Sequence, residues 1–205
     1  MGILKRPFAA TYDRLMARGE RAWLSEARRD LLADLQGHVL ELGAGTGADF
    51  EHYPPGVTLV ATEPSVHMLK RARSKAASAR ATIELREADA QALPFEDDTF
   101  DAVVATLVFC TIPDPHRALA EVRRVASAGA PLQLIEHVHA ETPVKRLILD
   151  AWSPAQQLIG QGCHPNRETV QAVVAAGFAV EDVRELAVEF GLVRTLMVRA
   201  RAPEG

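Results

Sequence analysis

Only two cysteines, Cys110 and Cys163, occur in the 205 residues, far apart and without a CxxC neighbour. That excludes a disulfide framework or a cysteine zinc motif legible from spacing, and it suits a reducing compartment. Positive charge is not in excess. Twenty-three Lys and Arg against 27 Asp and Glu leave a formal charge of -4, which gives no global field for a polyanion, so nucleic acid is not an expected partner. No apolar stretch has the length of a membrane-spanning helix. Residues 1–7 lack the apolar run of a signal peptide, so a cytoplasmic protein is expected, with membrane contact only peripheral. Internal repeats, low-complexity segments and interdomain linkers are also missing, which favours a single domain.

What is present is an alternation of extended and helical patterns. Residues 8–36 carry Phe8, Tyr12, Leu15 and Met16, then Trp23, Leu24, Ala27, Leu31, Leu32 and Leu35, at helical spacing on either side of Gly19. They predict two helices forming a cap over residues 1–36. From 37 to 205 the pattern predicts strands at 39–42, 58–62, 82–86, 102–105 and 132–135. A short helix is expected after the glycine cluster, and longer ones over 65–78 and 115–126. A helix at 167–176, an extended stretch at 178–183 and a strand at 195–200 follow, the late pair antiparallel. The fold class is α/β: a doubly wound, mainly parallel seven-stranded Rossmann-like sheet with an antiparallel last strand. Residues 140–166, broken by Pro143, Pro154, Gly160, Gly162 and Pro165, form an insertion with two readings: a substrate cover, or a solvent-facing helical excursion with one apolar stripe.

Glu41-Leu42-Gly43-Ala44-Gly45-Thr46-Gly47 directly follows a predicted strand, where glycines let the backbone turn sharply and approach a ligand. Glu63 closes the second strand, where a carboxylate accepts both hydroxyls of an adenosine ribose. Dinucleotide sites use G-x-G-x-x-G with a helix N-terminus facing a pyrophosphate. This loop is G-x-G-x-G, and Asp49 is expected in the opening of the next helix, where it would repel a pyrophosphate. S-adenosylmethionine (SAM) has no phosphate and carries an ammonium and a sulfonium, which acids such as Glu41 favour. Asp89, in Ala88-Asp89-Ala90-Gln91-Ala92-Leu93-Pro94-Phe95, is placed to accept from an adenine amine, with Ala90 flanking the ring.

The acidic glycine loop, the acid after strand two, Asp89-Ala90 leading to Leu93-Pro94-Phe95, and Phe100-Asp101-Ala102-Val103 together resemble the class I SAM-dependent methyltransferases. A closer resemblance is carried by Tyr12-Asp13-Arg14, Gly47-Ala48-Asp49-Phe50, Tyr53-Pro54-Pro55-Gly56, Glu63-Pro64, Thr106-Leu107-Val108-Phe109-Cys110, Glu121-Val122-Arg123-Arg124-Val125, Glu136-His137-Val138, Gly162-Cys163 and Arg167-Glu168-Thr169. These are similar to the methyltransferase-like family that contains the alkyl thiol methyltransferases, over about residues 10–178.

The resemblance implies methyl transfer from SAM, with S-adenosylhomocysteine as product, to a small-molecule acceptor of the thiol class. Relatives act on quinone precursors or on the amine of phosphatidylethanolamine, so a C- or N-methyltransferase is the alternative, and a non-catalytic SAM-binding protein is the alternative of another class. Two departures accompany it: the apolar membrane anchor of the animal thiol enzymes is not expected here, and Ala128-Gly129-Ala130-Pro131 replaces the usual Pro-Gly-Gly turn.

The expected cofactor residues are Tyr12, Glu41, Gly43, Ala44, Gly45, Gly47, Glu63, Pro64, Asp89, Ala90 and Thr106. His137, just beyond strand five, is the candidate general base, its plain alternative being a loop histidine bonded to backbone like His139. Asp13, on the helix that folds over the cofactor in relatives, is the second catalytic candidate. Cys110 either faces the acceptor or packs as a small hydrophobe. Trp152 is a candidate wall of an apolar acceptor pocket, and Arg167 a contact for an anionic acceptor or a partner within its own helix. No metal is expected, because His137 with His139 alone is an incomplete ligand set.

Overall fold

The computed structural model describes residues 23–159, 162–189 and 192–204. The strands are β1 (His38–Leu42), β2 (Thr58–Thr62), β3 (Thr82–Arg86), β4 (Ala102–Thr106), β5 (Pro131–Val138), β6 (Ala179–Glu189) and β7 (Val193–Arg201). They form one sheet in the order β3-β2-β1-β4-β5-β7-β6. The first five pair in parallel, and β7 runs antiparallel to both β5 and β6. Near-continuous apolar runs in β1, β2 and β4 reflect burial on both faces. Thr82-Ile83-Glu84-Leu85-Arg86 alternates because β3 is an edge strand.

The helices are α1 (Ser25–Leu32), α2 (Val66–Ser78), α3 (Pro115–Val125), α4 (Pro143–Ile159) and α5 (Thr169–Ala175). Asp114 caps α3 by accepting from the Arg117 backbone N–H at 3.0 Å, with Pro115 opening the helix. Ala118, Leu119, Val122 and Val125 then recur on one face and are buried. They join Leu40, Val103, Leu132, Leu134 and Phe178 in the core on one side of the sheet. On the other side Leu24, Ala27, Leu31 and Leu32 of the α1 region pack against Val39, Leu59, Val104 and Ile135. Strand order reverses at β1, which pairs with β2 on one side and β4 on the other. A ligand crevice forms at such a switch point, beyond the carboxyl ends of the strands.

Several local expectations change. No helix follows the glycine cluster: residues 45–53 run as turns and bends. A buried ion pair between Arg28 of α1 and Asp49 holds this segment against α1. Segment 140–166 is not irregular but carries the 17-residue α4 with Pro154 inside it. Its Val144, Leu147, Ile148 and Trp152 are exposed, matching the solvent-facing helix with an apolar stripe. β5 extends to Val138, so His137 lies within the strand rather than beyond it. The first predicted helix, with Tyr12 and Asp13, lies outside the described residues. No helix of the described residues is long and apolar enough to cross a membrane.

Candidate active site

A cleft of about 420 Å³ opens at the carboxyl ends of β1, β2 and β4. Gly43, Gly45, Glu63, Pro64, Asp89 and Ala90 line it as the sequence suggests, joined by Met68, Gln91, Leu107, Val108, Thr111 and Ile112. Gly43 and Gly45 have φ of 58° and 56°. A Cβ on Gly43 would lie 2.7 Å from the Val108 side chain in the turn after β4, so the close approach there requires glycine. At Gly45 a Cβ would meet nothing closer than the Gly43 carbonyl at 3.9 Å. That bare backbone is where a ligand can approach.

Glu63 is buried, and its carboxylate accepts from the Gly45 N–H at 3.1 Å and the Ser65 N–H at 2.8 Å. One acid thus ties the glycine loop to the β2–α2 turn. A carboxylate oxygen can accept more than one hydrogen bond, the chemistry that ribose hydroxyls require. Asp89, which is exposed, accepts from the Gln91 backbone N–H and from its side-chain amide, at 2.9 and 3.0 Å to the latter. Gln91 Oε1 in turn accepts from the Asp114 N–H at 3.0 Å. Gln91 therefore links Asp89 to the start of α3 along the cleft wall, a position not singled out from sequence although it stood inside the motif read there.

Glu41, Ala44, Gly47 and Thr106 were expected at the cofactor and do not line the cleft. Glu41 sits one layer below the loop, facing Asp49, Tyr53 and Arg28, and burial followed by the Asp49 charge raises its carboxyl well above the ordinary range. Its Oε2 has no hydrogen-bond partner. Asp49 does not face a ligand phosphate position as expected, because Arg28 holds it in the interior.

Beyond β4 the chain turns at Leu107, a non-glycine residue at φ 58°. The next three backbone N–H groups point at one buried acid: Val108 and Phe109 donate to Glu136 Oε1 at 2.7 Å each, and Cys110 to Oε2 at 3.2 Å. Burial lifts Glu136 from its ordinary 4.5 to about 7, outweighing these three donors. The native state then binds this proton more tightly than the unfolded chain. The stabilising contribution is whole below pH 4.5, is lost as pH rises toward 7 and changes little above that. One pKa unit corresponds to ~1.4 kcal/mol, so the loss across the window is roughly 3 kcal/mol. Urea unfolding of wild type against Glu136→Gln should show the wild type's relative stability falling over that interval. A difference independent of pH would contradict it.

The loop held by Glu136 brings together residues the sequence kept apart. Cys110, His137 and Cys163 each offer a ligating atom within 4.8 Å of the others, with Cys163 Sγ 3.7 Å from His137 Nδ1. Both thiols are free and buried. The Cys110 hydrogen bond, then His137, draw the Cys163 thiol down to about 5 against the effect of burial, while Cys110 is pushed up as its partner's donor and by burial. The segment with Cys163 is pinned by the His164 N–H to the Cys110 carbonyl at 2.7 Å.

The other acceptor-side expectations change. Arg167 donates to the Phe109 carbonyl and lies 3.4 Å from His164 Nδ1, bracing this loop from the wall of a separate cavity. Its neighbour Glu168 pairs with Arg146, not with Arg167. Trp152 is 52% exposed and lines neither that cavity nor the cleft. His139 is buried, accepts from the Ala140 N–H and lies 3.2 Å from Asp150, so it does not join His137.

A switch-point cleft with a glycine loop, an acid closing β2 and an acid-bearing turn after β3 defines a class I SAM-dependent methyltransferase. The comparisons agree. Residues 40–133 match the family model described as a methyltransferase domain. The chain is 32% identical over 188 residues to the thiol S-methyltransferase TMT1B of Rattus norvegicus, covering 86% of this chain and 77% of that protein. It is 38% identical over 103 residues to a phosphatidylethanolamine N-methyltransferase of Cereibacter sphaeroides, covering 49% and 51%. The solved structure of a geranyl diphosphate methyltransferase in complex with SAM superposes with a TM-score of 0.69 at 14% identity, covering 87% and 84%, a likeness of fold. The chain belongs to the methyltransferase family that contains the thiol S-methyltransferases, and SAM is its cofactor.

Proposed function

We propose that the protein transfers the methyl group of SAM to the sulfur of a small thiol. The observation that carries this reading is the group of Cys110, His137 and Cys163, of which Cys110 belongs to the 107–112 segment whose Leu107, Val108, Thr111 and Ile112 wall the cleft, while His137 comes from β5 and Cys163 from the segment after α4. SAM supplies an electrophilic methyl on a sulfonium, and the acceptor's lone pair displaces it in line. Because that leaving group is already good, the protein's part is alignment, exclusion of water and management of the acceptor's proton. Glu63 orients the ribose and Asp89 the adenine amine, while Gly45 lets the loop backbone approach closely.

A free thiol ionises near ~8.5, and the thiolate is the nucleophile. His137 belongs to the group that takes up the acceptor's proton. Similarity to thiol methyltransferases along most of the chain supports the same acceptor class.

S-adenosylhomocysteine release from purified protein and SAM, with and without a small alkyl thiol over about pH 6 to about 9, tests the reading. Thiol-dependent release is expected. His137→Ala should lower kcat by about 100-fold, the scale of general acid–base effects, while SAM affinity measured by calorimetry stays unchanged. Release that ignores the thiol, or an unaltered kcat in the variant, would count against the assignment.

A further inference from the structure

Cys110 ends the turn that Glu136 anchors, His137 projects from β5, and Cys163 follows α4 on a segment bonded back to Cys110. Three separate elements thus aim two sulfurs and an imidazole at one point, all within 4.8 Å of one another. A tetrahedral ion with bonds of ~2.3 Å to sulfur and ~2.0 Å to nitrogen holds its ligand atoms about 3.5 to 3.8 Å apart. The 3.7 Å between Cys163 Sγ and His137 Nδ1 already has that value. Two sulfurs and one imidazole select a thiophilic ion over magnesium or calcium, which take oxygen ligands. Among the described residues no further His, Cys, Asp or Glu atom joins the group. A three-ligand set leaves a coordination position open, as in catalytic rather than structural zinc sites.

We propose that Cys110, His137 and Cys163 bind a thiophilic divalent ion, zinc foremost, whose fourth position receives an exogenous thiolate. The identity of that fourth ligand rests on the thiol reading above; the three-residue site does not. Binding displaces to solvent whatever protons the cysteines still hold, and coordination of an acceptor thiol releases its proton in the same way, so that with the ion bound His137 serves as a ligand in place of a proton acceptor. Zinc undergoes no redox change, so no oxidant or reductant is required. The bound acceptor would be held as a thiolate beside the cofactor cleft at neutral pH.

The test uses the whole chain, reduced and stripped with a chelator, titrated with cobalt(II) as a spectroscopic substitute for zinc. Thiolate-to-cobalt charge-transfer absorption should saturate at about one ion per chain and be displaced by zinc. Cys110→Ser and Cys163→Ser should each weaken zinc binding by at least about 100-fold, with unchanged S-adenosylhomocysteine binding as the check that they fold. No charge-transfer absorption in the reduced wild type, or wild-type absorption and affinity in Cys163→Ser, would overturn the site. Thiol-dependent turnover without cobalt absorption would remove the metal and keep the thiol reading. Cobalt bound through sulfur without thiol turnover would do the reverse.

Discussion

Glu63→Ala is expected to lower SAM affinity by about 100-fold or more. A hydrogen bond to a charged acceptor contributes about 1.5 to 3 kcal/mol, and each 1.4 kcal/mol is tenfold in Kd. Losing both ribose contacts therefore accounts for at least about 100-fold. A further loss comes from the apo architecture, because the same carboxylate holds the Gly45 and Ser65 N–H groups. Without it the glycine loop loses its tie to the β2–α2 turn. Asp89→Ala should weaken binding less, since Asp89 is exposed and already shares its oxygens with Gln91. Calorimetry on both variants gives the order, and Glu63→Ala binding SAM within a factor of about three of wild type, ~0.7 kcal/mol, would contradict the placement of the ribose.

Arg28→Met is expected to cost about 3 to 5 kcal/mol of folding stability, the usual result of stranding one member of a buried ion pair. Arg28 and Asp49 have side chains only 6% and 3% exposed. Glu41 lies against the same pair, so removing the guanidinium leaves two carboxyls facing each other away from water. One or both must take up protons or the segment must open, and the 45–53 turns that replace the expected helix are the part to move. Replacing both partners, Arg28→Met with Asp49→Leu, should recover most of the loss, because a packed apolar pair avoids the desolvation that a lone charge suffers. Denaturant unfolding provides the measurement. A single variant within about 1 kcal/mol of wild type, the size of an ordinary substitution, would mean that the pair does not carry the local structure.

These two sites also mark where the sequence was legible. The parallel strands read directly because apolar runs such as Ala102-Val103-Val104-Ala105 have little choice but a doubly covered sheet. The lining of the cleft read nearly as well, since Gly43, Gly45, Glu63 and Asp89 sit on local loops whose order along the chain is the motif itself. Glu41 and Asp49 misled because an acid near a glycine loop looks ligand-facing until Arg28 is seen to reach it from another element. In α4, Pro154 suggested a break. A proline removes one i to i−4 bond and need not end a helix supported on both sides. The Cys110, His137 and Cys163 group was invisible for a different reason. No spacing rule links residues on β5, on a turn and after a helix, and only the Glu136 anchor and the His164 bond bring them together.

The most direct test of the account supplies SAM carrying a deuterium-labelled methyl group together with a small alkyl thiol, and follows products by mass spectrometry. Equal amounts of labelled methyl thioether and S-adenosylhomocysteine are expected, with both sharply reduced in Glu63→Ala at a SAM concentration near the wild-type Kd. Saturated SAM binding with no labelled thioether, whatever the thiol or pH, would contradict a thiol methyltransferase.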